Sequence, residues 1–131
     1  MNFYTSLALS FILLFCLDIS WITLNFQSYM TLVKKIQKEP FYLRMLSNLI
    51  AYVCIFISFY LFIKIISIEG NTLLYSLLFG LAVYGTYSYT NCSTFKNYTY
   101  YNAFKDTVWG CVLYLIPGLL FNYLYKNKLI I

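Results

Sequence analysis

The sequence predicts an all-α fold, a four-span transmembrane helical bundle with short loops. Of the 131 residues, 62% are hydrophobic and only 10% are charged, whereas soluble domains carry about 25% charged residues. Four apolar runs are each long enough to cross a hydrocarbon core, which needs roughly 20 helical residues. A chain of this length corresponds to one domain, so we expect residues 1–131 to form a single membrane domain.

The first predicted span covers residues 3–25. It is apolar on all faces rather than along one stripe, which is typical of a helix that is not in water. A longer connection, residues 27–44, follows it, and Pro40 prevents one continuous helix there. This connection is basic and contains Lys34, Lys35, Lys38 and Arg44.

The second and third predicted spans cover residues 45–68 and 72–92. Between them, Glu69–Asn71 contains a glycine followed by an asparagine, which is typical of a tight turn. A turn this short makes the two spans antiparallel neighbours. The fourth predicted span covers residues 105–125, after a third connection at about 93–104.

The basic residues predict the orientation of the bundle. With four spans, the connections 27–44 and 93–104 lie on one side, and together with the adjoining Lys105 they hold six of the nine Lys and Arg residues. Cytoplasmic loops carry an excess of these residues, so we expect both connections in the cytoplasm and both termini outside it. The remaining basic residues are Lys64, Lys126 and Lys128.

Composition excludes several classes of function. The four cysteines lie singly and there is no histidine, so no zinc, haem or iron–sulfur site and no other cofactor is expected. No phosphate-binding loop, dinucleotide fingerprint or Ser/His/Asp set is present. The sequence leaves open whether the protein is an enzyme, and favours the view that it is not. A scattered net charge of +5 indicates membrane topology, with the lipid bilayer as partner, rather than nucleic-acid binding.

Polar side chains are concentrated toward one end of all four predicted spans. Residues three, four or seven apart share one face of a helix, and on this basis each span carries a polar or aromatic stripe near the cytoplasmic end. Polar groups at membrane depth are costly, so a shared cluster is the best candidate for a binding site. Its members are Asp18, Trp21, Asn48, Tyr84, Tyr87, Asn91, Asp106 and Trp109.

Asp18 is the most informative of these residues. A carboxylate near the bilayer centre costs about 2.5 to 3.5 kcal/mol on insertion scales, which makes such a residue a functional hypothesis. We expect it to face the bundle. The alternatives are a structural hydrogen bond that fixes helix packing, or snorkelling to the interface. The expected partners are Arg44, Lys105, Tyr84 and Tyr87.

Other members of the cluster also have structural interpretations. Asp106 opens its helix, where an acid stabilises the free N–H groups and the dipole. Tyrosine and tryptophan at this end are typical of an interfacial aromatic belt. Gly80, Gly85 and Gly110 are typical of close contacts between helices.

Three blocks of the chain form one pattern: Leu17-Asp18 with Trp21, then Tyr84 to Asn91 with the sequence YGTYSYTN, then Asp106 with Trp109-Gly110. In these blocks the chain resembles a family of small bacterial integral membrane proteins catalogued as domain of unknown function 2177. Members carry L-D-x-x-W in the first span, then Y-G-T-Y-D-L-T-N and a D-x-x-W-G element.

The likeness covers nearly the whole chain. It implies a four-span membrane protein and supplies no established activity. The chain departs from the family pattern at Ser88, where members have an acid, so any activity that uses paired carboxylates would be altered here.

The sequence leaves three functions open. In the first, the cluster binds a small amphiphile such as a lipid or a quinone-like molecule, with Asp18 as proton carrier or orienting group and Tyr84, Tyr87 and Asn91 as hydrogen-bond donors. In the second, the protein is a structural or accessory subunit of a larger membrane assembly, which includes a viral membrane. In the third, it is a small proton-coupled transporter that works as an oligomer.

Overall fold

The described part of the protein, residues 1–127 and 131 of a computed structural model, forms helices and no strands, which confirms the predicted all-α class. Lys128, used above to predict orientation, lies outside the described residues. The helices are α1 (Phe3–Leu24), α2 (Phe26–Gln37), α3 (Met45–Glu69), α4 (Thr72–Gly80), α5 (Thr86–Thr94) and α6 (Tyr100–Lys126), and a π-helical turn, Leu81–Gly85, joins α4 to α5.

Three of these helices, α1, α3 and α6, are long and apolar enough to cross a membrane. They contain 22, 25 and 27 residues. The predicted span at 72–92 is divided into α4, the π turn and α5, because the hydrogen-bond pattern changes at Leu81 and again after Gly85. Helix α6 begins five residues before the predicted start at 105.

The turn predicted at Glu69–Asn71 is present, and its residues explain the helix ends around it. Gly70 has a φ of 87°, a left-handed conformation that glycine adopts without steric cost. The Asn71 side chain then caps α4 by accepting a hydrogen bond from the Leu74 N–H at 3.2 Å. The two helices on either side of this turn are therefore neighbours in space, as expected.

Helix α2 lies in the region that the sequence analysis treated as a connection. It is amphipathic, with apolar residues such as Met30, Val33 and Ile36 on one face and lysines on the other. It ends at Lys38, which has a left-handed φ of 59°, so that Pro40 falls outside the helix. The basic character of this segment suggested a loop, but its apolar residues recur at the helical period.

Helix α6 lies at the centre of the packing and makes its most extensive contacts with α4 and α1. Its Leu113, Tyr114 and Phe121 are fully buried against aromatic and aliphatic side chains of α1 and α3. The core cluster is Leu7, Leu14, Phe59, Phe62, Ile63, Ile66, Leu113, Tyr114 and Phe121.

Two glycines allow α6 to approach the chain between α4 and α5 closely. A Cβ at Gly80 would lie 2.5 Å from the backbone nitrogen of Cys111, and a Cβ at Gly110 would lie 2.5 Å from the Tyr84 side chain. Both distances are far inside van der Waals contact, so only glycine fits at these positions without a shift. At Gly85 a Cβ would meet Thr107 at 3.4 Å, so close contact is needed at Gly80 and Gly110 but not there.

The π turn keeps one buried stripe of α4 and α5 directed at α6. Thr72, Ser76 and Gly80 are buried at intervals of four residues, and the next buried residue, Gly85, comes after an interval of five. A π turn accommodates an additional residue within a helix. Ser88 then continues the buried stripe in α5.

Candidate functional site

Asp18 faces the interior of the bundle and is 7% exposed. Its carboxylate accepts a hydrogen bond from the Tyr52 hydroxyl of α3 at 2.8 Å. The Tyr84 hydroxyl lies near the same carboxylate, although without a hydrogen bond of good geometry. Of the expected partners only Tyr84 is close, and the hydrogen bond comes from Tyr52 instead.

The two tryptophans of the candidate cluster are in direct contact. The Trp21 and Trp109 rings stack with their centroids 4.5 Å apart and their planes 8° from parallel. Beside them, the Lys105 ammonium lies 5.6 Å from the centre of the Trp21 ring and donates a hydrogen bond to the Asn25 side-chain oxygen at 3.0 Å. Asn25 stands at the break between α1 and α2, so these contacts join the ends of three helices.

Asp106 has a partner that the sequence analysis did not identify. The Tyr98 hydroxyl, in the connection between α5 and α6, donates a hydrogen bond to the Asp106 carboxylate at 3.1 Å. Tyr98 is only 8% exposed, and burial, with the negative charge of Asp106 adding to it, raises the pKa of Tyr98. A tyrosine in a polar connection carries no periodic signal, so the sequence did not reveal this contact.

Ser88, the position at which the resemblance described above implies an acid, is fully buried. It lies near the Tyr98 hydroxyl, which in turn contacts Asp106. An acid at this position would therefore lie close to a second carboxylate, with a tyrosine between them. The serine substitutes a neutral hydroxyl for that charge.

Three buried polar atoms of this region have no hydrogen-bond partner among the described residues: the Tyr84 hydroxyl oxygen, the Ser88 hydroxyl oxygen and the Trp109 indole nitrogen. They come from the third predicted span and from α6. The great majority of buried polar groups in proteins are hydrogen-bonded, and exceptions often lie at functional sites.

The other candidate residues lie at the margin of the cluster. Tyr87 is 56% exposed, because the π turn directs Ser88 rather than Tyr87 into the bundle. Its hydroxyl lies near that of Tyr29 in α2, where burial, with Tyr87 as a further cause, raises the pKa of Tyr29 to about 12. Asn48 and Asn91 are half-buried, and their side chains do not hydrogen-bond to the described part of the chain.

An aromatic recess of about 300 Å³ opens beside the stacked tryptophans. Its walls are apolar except for the Lys105 ammonium and the tips of aromatic rings. The residues that line it are Trp21, Tyr101, Phe104, Lys105, Val108, Trp109 and Val112.

Polar contacts also occur at the other end of the helices and in the middle. The Asn122 side chain donates a hydrogen bond to the Thr72 hydroxyl at 2.8 Å, and both residues are buried. The Ser58 and Tyr114 hydroxyls form a second pair in the core. In the described residues no group of His, Cys, Asp or Glu side chains is arranged to hold a metal ion.

Comparison with known proteins identifies the family. No curated protein and no solved structure matches the chain. A family model described as "Predicted membrane protein (DUF2177)" matches residues 3–121, a range that includes every member of the candidate cluster. The chain therefore belongs to this family of membrane proteins, as its three sequence blocks had suggested.

Proposed function

We propose that this membrane protein binds a small amphiphile at the cluster formed by Asp18, Trp21, Tyr84, Asp106 and Trp109. The observation that carries the proposal is the set of three buried polar atoms for which the described part of the chain provides no hydrogen-bond partner. Leaving a buried donor or acceptor unpaired costs about 1–3 kcal/mol. A scaffold that served only to pack helices would gain stability by replacing these groups with apolar ones, whereas a binding site needs them for its ligand.

The aromatic recess supports an amphiphile rather than a fully polar ligand. Trp21, Trp109 and Val112 offer apolar contact area for a hydrocarbon or ring body. Lys105 lies in the same recess, and its hydrogen-bond partner is the neutral Asn25. A ligand with an apolar body and a hydrogen-bond-accepting or anionic group matches this combination of surfaces.

In this proposal Asp18 is an orienting group or a proton carrier. Its carboxylate accepts a hydrogen bond from the Tyr52 hydroxyl and lies near the Tyr84 hydroxyl. Asp18 therefore links α1 to α3 and to the π turn at Leu81–Gly85. Tyr84 and Trp109, which carry two of the three buried atoms without a partner among the described residues, are assigned as hydrogen-bond donors to the ligand. Tyr87, Asn48 and Asn91 belong to the outer margin of the proposed site.

We further propose that the chain crosses the membrane four times within a single membrane domain, residues 1–131. The helical segment from Thr72 to Thr94 would be roughly 35 Å long at 1.5 Å per residue, enough to cross a hydrocarbon core of about 30 Å. Its extensive packing along α6 supports a crossing parallel to the other spans. Four crossings would place both termini on one side, and the excess of basic residues in the connections 27–44 and 93–104 supports a non-cytoplasmic location for that side.

Native mass spectrometry of the protein, purified from its membrane in mild detergent, tests the binding proposal. We expect one small amphiphile per chain, with occupancy reduced about tenfold in Lys105→Gln, because a hydrogen bond to a charged group contributes about 1.5–3 kcal/mol. Lys126→Gln is the matched control, since Lys126 lies at the far end of α6 and outside the recess.

Two other results would replace this function with one of the alternatives. A stably folded protein without an amphiphile, purified in fixed stoichiometry with another membrane protein, would make it an accessory subunit. Proton-coupled flux in vesicles, lost in Asp18→Asn and dependent on a homo-oligomer, would make it a transporter.

A further inference from the structure

A second cavity, of about 360 Å³, lies between α2 and the connection that leads into α6. It shares no lining residue with the aromatic recess. Except for Leu32, every residue that lines it is polar. Helix α2 contributes Gln27, Thr31 and Lys35, and the other wall contributes Asn97, Thr99 and Asn102.

The chemistry of this lining fits an anion with several oxygen atoms. The amide groups of Asn97 and Asn102 and the Thr31 hydroxyl can donate hydrogen bonds, and Lys35 adds three donors and a positive charge. None of the residues that line the cavity is acidic. Hydrogen bonds from an ammonium group to phosphate oxygens are among the strongest in proteins.

The two walls of the cavity are tied together by a direct contact. The Asn97 side-chain nitrogen donates a hydrogen bond to the backbone carbonyl of Lys35 at 3.2 Å. The Thr99 hydroxyl accepts a hydrogen bond from the Asn102 N–H at 3.2 Å, which fixes the first turn of α6. The donors therefore come from two elements that already hold each other in place.

The amphipathic character of α2 indicates where such an anion would come from. Phe26 and Tyr29 on its apolar face are 43% and 40% exposed, while Thr31, Lys34 and Lys35 lie on the opposite face. Amphipathic helices with this distribution lie in the membrane interface, with lysines near the lipid headgroups. Helix α2 also follows directly after α1, one of the helices that can cross a membrane.

We propose that the cavity between α2 and the start of α6 binds the phosphate headgroup of an anionic phospholipid, with Lys35 as its charged ligand and Asn97 and Asn102 as hydrogen-bond donors. The apolar face of α2 lies in the acyl-chain boundary, and the polar face supplies one wall of the headgroup site. This inference is independent of the amphiphile proposed at the tryptophans, because the two cavities have no lining residue in common.

Native mass spectrometry with defined lipids tests the inference on the purified full-length chain. The probes are dioleoylphosphatidylglycerol, dioleoylphosphatidylcholine and soluble glycerol 1-phosphate. We expect the phosphatidylglycerol adduct to dominate, and its dissociation constant to rise about tenfold in Lys35→Gln, because this change removes a charged hydrogen-bond donor to the phosphate. Lys35→Arg should retain binding.

The neighbouring lysine provides the control. Lys34→Gln removes the same charge from the same helix, but Lys34 does not line the cavity, so binding should stay within twofold of the wild type. Equal losses in Lys34→Gln and Lys35→Gln would overturn the site in favour of a general surface attraction. Equal binding of the two lipids would overturn the requirement for an anion, and glycerol 1-phosphate binding as tight as the lipid would overturn the assignment to a membrane lipid.

Discussion

The indole rings of Trp21 and Trp109 lie face to face, with 4.5 Å between their centroids and 8° between their planes. Each tryptophan stands three residues after an aspartate, Asp18 in α1 and Asp106 in α6. The stack therefore joins the two helices that contain these aspartates at the point where the polar cluster and the aromatic recess meet.

The stack should be measurable as a coupling energy. Aromatic pairs contribute about 0.5–1.5 kcal/mol beyond the area that they bury. A double-mutant cycle of Trp21→Leu and Trp109→Leu, followed by unfolding in detergent, should give a coupling of about 1 kcal/mol. The combination of Trp21→Leu with Phe121→Leu should be additive, because Phe121 lies at the other end of α6; an additive tryptophan pair would contradict the stacked geometry.

The close contact at Gly110 predicts a strong effect of one added methyl group. A Cβ there would lie 2.5 Å from the Tyr84 side chain, and overpacking of this kind costs about 1–3 kcal/mol. Gly110→Ala should therefore lower the unfolding free energy by that amount. Gly85→Ala is the control, since its Cβ would meet Thr107 at 3.4 Å; equal destabilisation by both variants would show that α6 is not held this close to Tyr84.

The hydrogen bond between Tyr52 and Asp18 predicts that removal of one hydroxyl destabilises the bundle. Hydrogen bonds to charged groups contribute about 1.5–3 kcal/mol. Tyr52→Phe should lower the unfolding free energy by an amount in this range, and the loss should disappear when the change is made in an Asp18→Leu background, which has no acceptor. Tyr4→Phe provides the comparison. Tyr4 is 72% exposed, so removal of its hydroxyl should change the unfolding free energy little.

The raised pKa of Tyr98 predicts a dependence on alkaline pH. Burial and the charge of Asp106 raise that pKa above the ordinary tyrosine value of 10.0, so the folded state holds the proton more tightly than the unfolded state. The stability contributed by Tyr98 is complete below about pH 10 and is lost as the pH rises toward the folded-state pKa. Above about pH 10, wild-type stability should fall more steeply than that of Tyr98→Phe, and Tyr100→Phe, which changes a 78% exposed residue, should behave like the wild type.

The proposal of four crossings predicts that both ends of the chain are accessible from the same side of the membrane. Protease-sensitive tags at Met1 and after Ile131 should be cleaved together in sealed vesicles of one orientation. A tag inserted next to Lys96, in the connection between α5 and α6, should be protected in the same vesicles. Opposite protection of the two ends would mean that the chain crosses an odd number of times.

Much of the helical architecture follows from local properties of the chain. Long apolar runs predict α1, α3 and α6, because the cost of exposing such segments to water depends on composition alone. The need for glycine at Gly80 and Gly110 was also predictable, since small residues mark close helix contacts in membranes. The inward direction of the Asp18 side chain was expected as well, because a charged group within a span avoids lipid by facing the other helices.

The contacts between elements could not be read from the sequence in the same way. Tyr52 as the partner of Asp18 depends on how α1 and α3 are rotated toward each other, which no periodicity within one helix fixes. The contact of Tyr98 with Asp106 depends on the course of a connection without regular structure. Helix α2 does carry an amphipathic pattern. Its lysines, and Pro40 shortly after its end, nevertheless led to the prediction of an irregular connection.

The wide turn at Leu81–Gly85 makes the length of this segment as important as its composition. Each residue in a regular α-helix corresponds to a rotation of about 100°, and the turn absorbs one such step between Gly80 and Gly85. Deletion of one residue from the turn would therefore leave Ser88 on the buried side. Insertion of one residue would instead rotate α5 by about 100°, so that Ser88 moved away from Tyr98 and Tyr87 took its place, although every side chain of the cluster was still present.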